Sequence, residues 1–176
     1  MGRRFSFLSK AGVCFPLISA ALLLSACGVL QNPSVQPGET EQQVISRLGK
    51  PTGSYQDGND RLLEYRTNPG GQATWMVRLD GNGRVKGMEQ VLTDQKFASI
   101  KPDVDDKESV LRKVGAPYER SYLALPQQDV WTYMYQEQGV WDNLMHIHFG
   151  RDGRVKMLMN APDLWRRPVA GGGHGM

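Results

Sequence analysis

Apolar residues recur at helical spacing in short segments that come before runs of alternating residues. Val44 and Leu48 lie one turn apart and give the first such segment an apolar stripe. Thr40 and Gln43 have the spacing of a capping box at its start. Gly49 lies where the helix would end in a left-handed residue, two positions before a proline that prevents continuation. The pattern predicts a short capped helix ending at Gly49.

Segments with a period of two follow the helix, as expected for half-buried strands. The predicted strands and return strands span 63–66, 75–79, 84–91, 131–135, 145–149 and 154–159. Glycine-containing turns at 80–83 and 150–153 each connect the two strands of a predicted hairpin. The side chains expected on the helix-facing side are Trp75, Val77, Leu79, Met145, Ile147 and Phe149.

Two blocks of sequence occur twice, in the same order and at nearly the same spacing. Residues 44–51 match 110–117, and residues 79–86 match 149–156. Preserved order and distance indicate a tandem duplication. We therefore predict an α+β fold, a tandem repeat of two units that each combine two helices with an antiparallel sheet of three or four strands. Helices are expected to cover one face of each sheet.

The helices of the second unit are predicted from the same signals. Residues 92–100 are typical of a helix capped by Thr93 or Asp94. Asp105 and Glu108 have the spacing of a capping box before the next helix. The first unit is less complete, because the residues before Pro37 favour a tether over a first helix.

The N-terminal segment has a different pattern. Residues 1–10 carry three basic residues and no acidic one, and residues 11–24 are almost wholly apolar but too short to span a bilayer. The run ends in Leu24, Ser25, Ala26 and Cys27. This tetrapeptide resembles the bacterial lipobox, which implies removal of residues 1–26 and acylation of Cys27. An ordinary signal peptide with a chance cysteine is the alternative.

Removal of the signal changes the charge balance. Three of the 21 basic residues leave with it, so 18 basic residues oppose 18 acidic ones in the mature chain. This balance, without a basic stripe, argues against a nucleic-acid partner. Cys14 is lost with the signal and Cys27 would be acylated, so no disulfide is expected. In the Gram-negative lipoproteins that the lipobox resembles, aspartate after the cysteine tends to retain the protein in the inner membrane; Gly28 at this position therefore implies the outer membrane and its periplasmic side.

The predicted organisation follows from these features. Residues 27–38 form a lipidated flexible tether, 39–91 the first unit, 92–162 the second unit, and 163–176 a disordered glycine-rich tail.

A family resemblance rests on Pro37-Gly38-Glu39-Thr40, Leu48-Gly49-Lys50-Pro51, a tyrosine-bearing strand and Asp-x-x-Gly-Arg-Val. The chain resembles two tandem copies of the BamE/SmpA/OmlA domain, which occurs in small lipoproteins of the outer-membrane β-barrel assembly machinery. The second copy departs from the family's Pro-Gly at Pro102-Asp103. A tandem of this kind is also similar to secreted β-lactamase inhibitory proteins. The resemblance implies a non-enzymatic lipoprotein that binds envelope proteins, including barrel-assembly components. The alternative is a periplasmic enzyme inhibitor.

Residues that carry chemistry are few. His146 and His148 share a strand face, but zinc needs a third or fourth ligand, and a solvated strand face is the preferred interpretation. The acidic residues Asp103, Asp105 and Asp106 lack the spacing of a calcium loop, and an exposed cluster at the start of a helix is the preferred interpretation. No nucleophile elbow or phosphate-binding loop occurs. We predict no catalytic residue, metal, cofactor or small-molecule substrate.

Aromatic residues are concentrated in the second unit. Either they fill the core, which the alternation of the 131–135 strand favours, or they form a docking surface. The candidate partner-binding residues are Tyr122, Trp131, Tyr133, Tyr135 and Trp141.

Overall fold

The computed structural model describes residues 34–67 and 71–164, together with Gly2. Its elements in chain order are α1 (Glu41–Leu48), β1 (Gly53–Asp57), β2 (Asp60–Arg66), β3 (Thr74–Leu79), β4 (Val85–Gln90), α2 (Asp94–Ala98), α3 (Lys107–Val114), β5 (Glu119–Leu123), β6 (Gln128–Glu137), β7 (Trp141–Phe149) and β8 (Val155–Pro162). The described part of the chain contains no helix that is long and apolar enough to cross a membrane.

The strands form two four-stranded antiparallel sheets, in the orders β1-β2-β3-β4 and β5-β6-β7-β8. The predicted α+β class with two tandem sheet units is therefore confirmed. Strands β1 and β5, the edge strands that open each sheet, lie outside the predicted segments. Among the described residues the first unit has α1 as its single helix, whereas α2 and α3 precede the second sheet.

The helix caps follow the predicted scheme in α1 but not in α3. Thr40 accepts a hydrogen bond from the Gln43 backbone, and the Gln43 side chain accepts one from Thr40 N at 2.8 Å. In α3 the cap is Asp106 rather than Asp105, because Asp106 has the extended backbone that places its carboxylate 2.8 Å from Ser109 N. Asp105 is buried instead, so an exposed acidic cluster is wrong for this residue.

The two units share local details that a common ancestor explains. The Tyr65 hydroxyl donates to the Gly49 carbonyl at the end of α1 at 3.3 Å. The Tyr133 hydroxyl donates to the Gly115 carbonyl at the end of α3 at 3.0 Å. Register shifts fall at corresponding points of the β3–β4 and β7–β8 pairs. The duplication therefore extends to hydrogen bonds that sequence matching does not reveal.

Each unit has its own core on the helix-facing side of its sheet. Five of the six predicted inward side chains are buried, and Trp75 is half-buried. The first core groups Val44 of α1 with apolar residues of β2, β3 and β4. The second groups Phe97, Val110 and Val114 of the helices with the aromatic residues of β6. Apolar packing between the helices and one face of the sheet therefore stabilises each unit.

The units meet on the other face of the first sheet. Strand alternation favours an outward Glu64, but this residue is 0% exposed. Its Oε2 accepts hydrogen bonds from the Tyr55 hydroxyl and from Ala116 N of the second unit, the latter at 3.2 Å. Arg66 Nη1 donates to the Pro117 carbonyl at 3.3 Å. The second unit therefore covers this face, which is why Glu64 is buried.

The predictions for residues 1–26, for Cys27 with the first part of the tether, and for the tail from 165 onward fall outside the residues described, apart from Gly2. They stay predictions.

Candidate protein-binding surface

Three of the five candidate binding residues lie in the core of the second unit. Trp131, Tyr133 and Tyr135 are all buried. Phe97 of α2 packs edge-on against Tyr133 and Tyr135 at centroid distances of 5.8 and 4.9 Å, and Trp131 packs against Phe149 at 4.8 Å. Helices cover this face of the sheet, so these three residues cannot anchor a partner, which corrects their assignment as docking residues.

Tyr122 and Trp141 remain exposed, but they do not form one surface. Tyr122 pairs with Asp129 near the start of β6, and Trp141 pairs with Glu137 at its end. Eight residues of extended strand separate the two positions, roughly 25 Å. They therefore belong to opposite ends of the second sheet.

Trp141, 64% exposed, stands beside a cleft at the end of the β6–β7 hairpin. The cleft has a volume of about 820 Å³. We call it the hairpin cleft; its lining residues are Glu137, Val140, Trp141, Asp142, Asn143, Asn160, Ala161 and Pro162. Val140 is exposed next to Trp141, and Leu164 is exposed two residues beyond the end of β8. Exposed apolar residues around a concave surface with polar groups are typical of a binding site.

Hydrogen bonds hold the hairpin end in place. Glu137 accepts from Asn143 Nδ2 at 2.5 Å and from Asn160 Nδ2 at 2.7 Å, which joins three neighbouring strands. In the turn, Gln138 N donates to the Asp94 carboxylate at the start of α2 at 2.8 Å. Trp141 is thus presented from a supported backbone, which lowers the entropy lost when a partner binds.

A contact from the first unit also reaches the hairpin cleft. Gln72 Nε2 donates to Asp142 Oδ1 at 2.7 Å. Asp142 in turn accepts a bond from the Asp163 backbone through its carbonyl at 3.0 Å. Both units therefore contribute to this end of the molecule. The chemistry available at the cleft is apolar contact and hydrogen bonding by amides and carboxylates, which suits recognition of another macromolecule.

The face of the second sheet opposite its helices carries the two strand histidines. His148 is only 6% exposed, so a solvated face is wrong for this residue, and His146 is half-buried. Burial lowers the pKa of both imidazoles; for His146 the carboxylate of Glu119 opposes the shift, and for His148 the neighbouring His146 adds to it. Both shifts favour the neutral form of the rings.

Cross-strand register adds two residues that sequence reasoning missed. His146 is opposite Met159 and His148 is opposite Met157, both on β8. Residues paired across antiparallel strands point to the same face. The predicted return strand at 154–159 does not show this pairing, because the register shifts between His148 and Phe149, and simple extension from the turn would place Lys156 opposite His148. Within the described ranges, no group of three or more His, Cys, Asp or Glu side chains is placed to hold a metal ion.

Comparisons with known proteins do not assign a family. No family model matches the chain, and no curated protein matches it. Among solved structures, it is similar to a DUF4309 family protein, YjgB from Bacillus subtilis subsp. subtilis str. 168, at 14% identity, covering 70% of this chain and 78% of that one. The TM-score is 0.30, too low to support an argument about fold or function.

Proposed function

We propose that this chain is a non-enzymatic outer-membrane lipoprotein that faces the periplasm and binds other envelope proteins through the hairpin cleft. The observation that carries the proposal is Trp141, a large aromatic side chain exposed beside a cleft on a supported hairpin. Tryptophan is among the residues that contribute most binding energy at protein interfaces. Components of the β-barrel assembly machinery are the partners to test first.

Membrane attachment rests on the sequence. The basic head, the short apolar run and Leu24-Ser25-Ala26-Cys27 agree with lipoprotein processing. Several acyl chains on Cys27 would give stable anchoring at about 0.8 kcal/mol per buried CH₂. Gly28 supports the outer rather than the inner membrane. Intact-mass measurement of the membrane-extracted protein tests this step: a mature chain that begins elsewhere than at acylated Cys27 would refute it.

Partner capture tests the binding step. Envelopes are crosslinked and the protein is purified from cells that express wild type, Trp141→Ala or Tyr122→Ala. We expect barrel-assembly components with the wild type, and loss of most of that signal with Trp141→Ala. Tyr122→Ala is the matched control, because this aromatic residue is equally exposed but lies at the other end of the sheet. Failure to recover any such component, together with unchanged outer-membrane protein levels after gene deletion, would contradict the proposal.

The competing hypothesis of a periplasmic enzyme inhibitor predicts a different dependence on the anchor. An assembly factor acts at the membrane, so Cys27→Ser should abolish its effect. An inhibitor should act equally well as a soluble chain. Complementation of a deletion strain with the Cys27→Ser protein, exported through an ordinary signal peptide, separates the two hypotheses.

A further inference from the structure

We propose that His146, His148, Met157 and Met159 form a binding site for a soft monovalent cation, Cu(I), on the face of the second sheet opposite its helices. The sequence offered only two of these ligands. Strand pairing supplies the other two, and nothing in the proposed protein-binding function requires them.

The register places the four side chains at the corners of a rectangle. His146 and His148 are two residues apart on β7, about 7 Å, and each is opposite a methionine on β8, about 5 Å away. The centre of this rectangle is about 4 Å from each of the four Cβ atoms, measured in the plane of the sheet. Imidazole and thioether groups are long enough to converge on an ion above that point.

Each imidazole is already oriented by a neighbour on β6. His148 Nδ1 lies 3.1 Å from Gln128 Oε1, and His146 Nδ1 lies 3.0 Å from Thr132 Oγ1. Because an amide oxygen only accepts, His148 Nδ1 carries the proton and Nε2 carries the lone pair. Metal-binding histidines characteristically have such a partner on the nitrogen that does not bind the metal.

The second nitrogen of His148 points to a missing ligand. His148 Nε2 is buried and has no hydrogen-bond partner. A buried polar atom without a partner costs free energy, which a metal ion at this position would recover. The opposite side chains, Met157 and Met159, are 42% and 44% exposed, so an ion can enter from solvent.

The ligand types select the class of ion. Thioether sulfur favours Cu(I), whereas zinc sites use histidine with thiolates or carboxylates, and calcium and magnesium require oxygen. Glu119 is in the same cross-strand row as His146 but two strands away, about 10 Å. The residues directly opposite His146 are Thr132 and Met159, and those opposite His148 are Val130 and Met157, so neither histidine has a carboxylate directly across from it. A hard divalent ion would therefore find too few ligands here.

Competition for Cu(I) tests the site. The full chain is purified in detergent with Cys14→Ser and Cys27→Ser, so that no thiol binds the metal. It is titrated without oxygen against a coloured Cu(I) chelator, with ascorbate present. We expect one equivalent of Cu(I) to bind, Met159→Leu to weaken binding by ~10-fold or more, and Gln128→Ala to weaken it by ~10- to 100-fold through the orientation of His148. X-ray absorption of the complex should show both sulfur and nitrogen neighbours.

The controls keep loss of ligands separate from loss of fold. Met88→Leu changes a methionine of the first sheet, and His174→Ala changes the remaining histidine; neither should alter binding. Thermal unfolding of every variant verifies that it folds, and Met159→Leu changes an exposed side chain. Equal losses in His174→Ala and His148→Ala would overturn the site, as would unchanged affinity when all four ligands are replaced. Zn(II) binding as tightly as Cu(I) would overturn the assigned class of ion.

Discussion

Replacement of Glu64 tests the junction between the two units most directly. Glu64→Ala removes the acceptor for two donors, the Tyr55 hydroxyl and Ala116 N. Each donor left buried without a partner costs about 1–3 kcal/mol, and Tyr55 can regain part of this from water because it is half-buried. We therefore expect the free energy of unfolding to fall by about 2–4 kcal/mol.

The ion pair at this position adds little to that figure. Arg66 Nε lies 3.3 Å from Glu64 Oε1, but the arginine side chain is 41% exposed, so solvent screens the attraction. Glu64→Gln keeps one acceptor oxygen and nearly the same shape. Its expected cost is about 1 kcal/mol, clearly below that of Glu64→Ala.

Urea unfolding of the full chain measures these differences. Glu108→Ala is the control, because this glutamate is exposed on α3 and its pairing with Arg112 at 3.7 Å is a surface contact. It should change stability by no more than about 0.5 kcal/mol. If Glu64→Ala costs no more than Glu108→Ala, the two hydrogen bonds do not stabilise the junction and the reasoning is refuted.

Two further predictions concern the helix end and the histidine face. Gly49 and Gly115 have φ of 83° and 80° with ψ near 180°, so alanine strains either site, but only at Gly115 would a Cβ lie 3.1 Å from Thr74 Cγ2. Gly115→Ala should therefore cost about 1 kcal/mol more than Gly49→Ala in urea unfolding, and equal costs would contradict this contact. Burial lowers the pKa of His148 in the folded protein below its value in the unfolded chain, near 6.5. As the pH falls, the unfolded state therefore takes up a proton first, and the free energy of unfolding should decrease below about pH 6.5. His148→Gln should reduce that fall between pH 7 and 5 in urea titrations, and an unchanged slope would exclude His148 as its source.

Local signals determined what the sequence could predict about the fold. The helix ends, the hairpin turns and the inward residues of β3 and β7 depend on neighbours close in sequence, and the structure has them nearly as predicted. The start of α3 was misplaced by one residue because Asp105 and Asp106 both resemble a cap. In the structure the Asp105 carboxylate instead accepts hydrogen bonds from Lys101 N and Lys113 Nζ, both at 2.6 Å, and the local sequence does not show these contacts.

Contacts between distant segments account for what the sequence did not predict. An alternating strand cannot show that its polar face is covered by another unit, so the pattern of residues 63–66 does not reveal that Glu64 is buried. The histidine pair looked isolated because its partners come from β8 and depend on register. The role of the aromatic residues in the second unit was ambiguous for the same reason. Whether Tyr133 lies in the core depends on whether Phe97 of α2 packs over it.

The face of the sheet that lies opposite the helices carries different side chains in the two copies of the duplication. In the first copy the positions that match His146 and His148 are Met76 and Arg78. Met76 is buried beside Leu62 and Val91, on the face where Glu64 meets the second unit. In the second copy the matching positions are the half-buried His146 and the buried His148, and the methionines opposite them are exposed. The same face therefore lies at the junction of the units in the first copy and carries the four proposed metal ligands in the second.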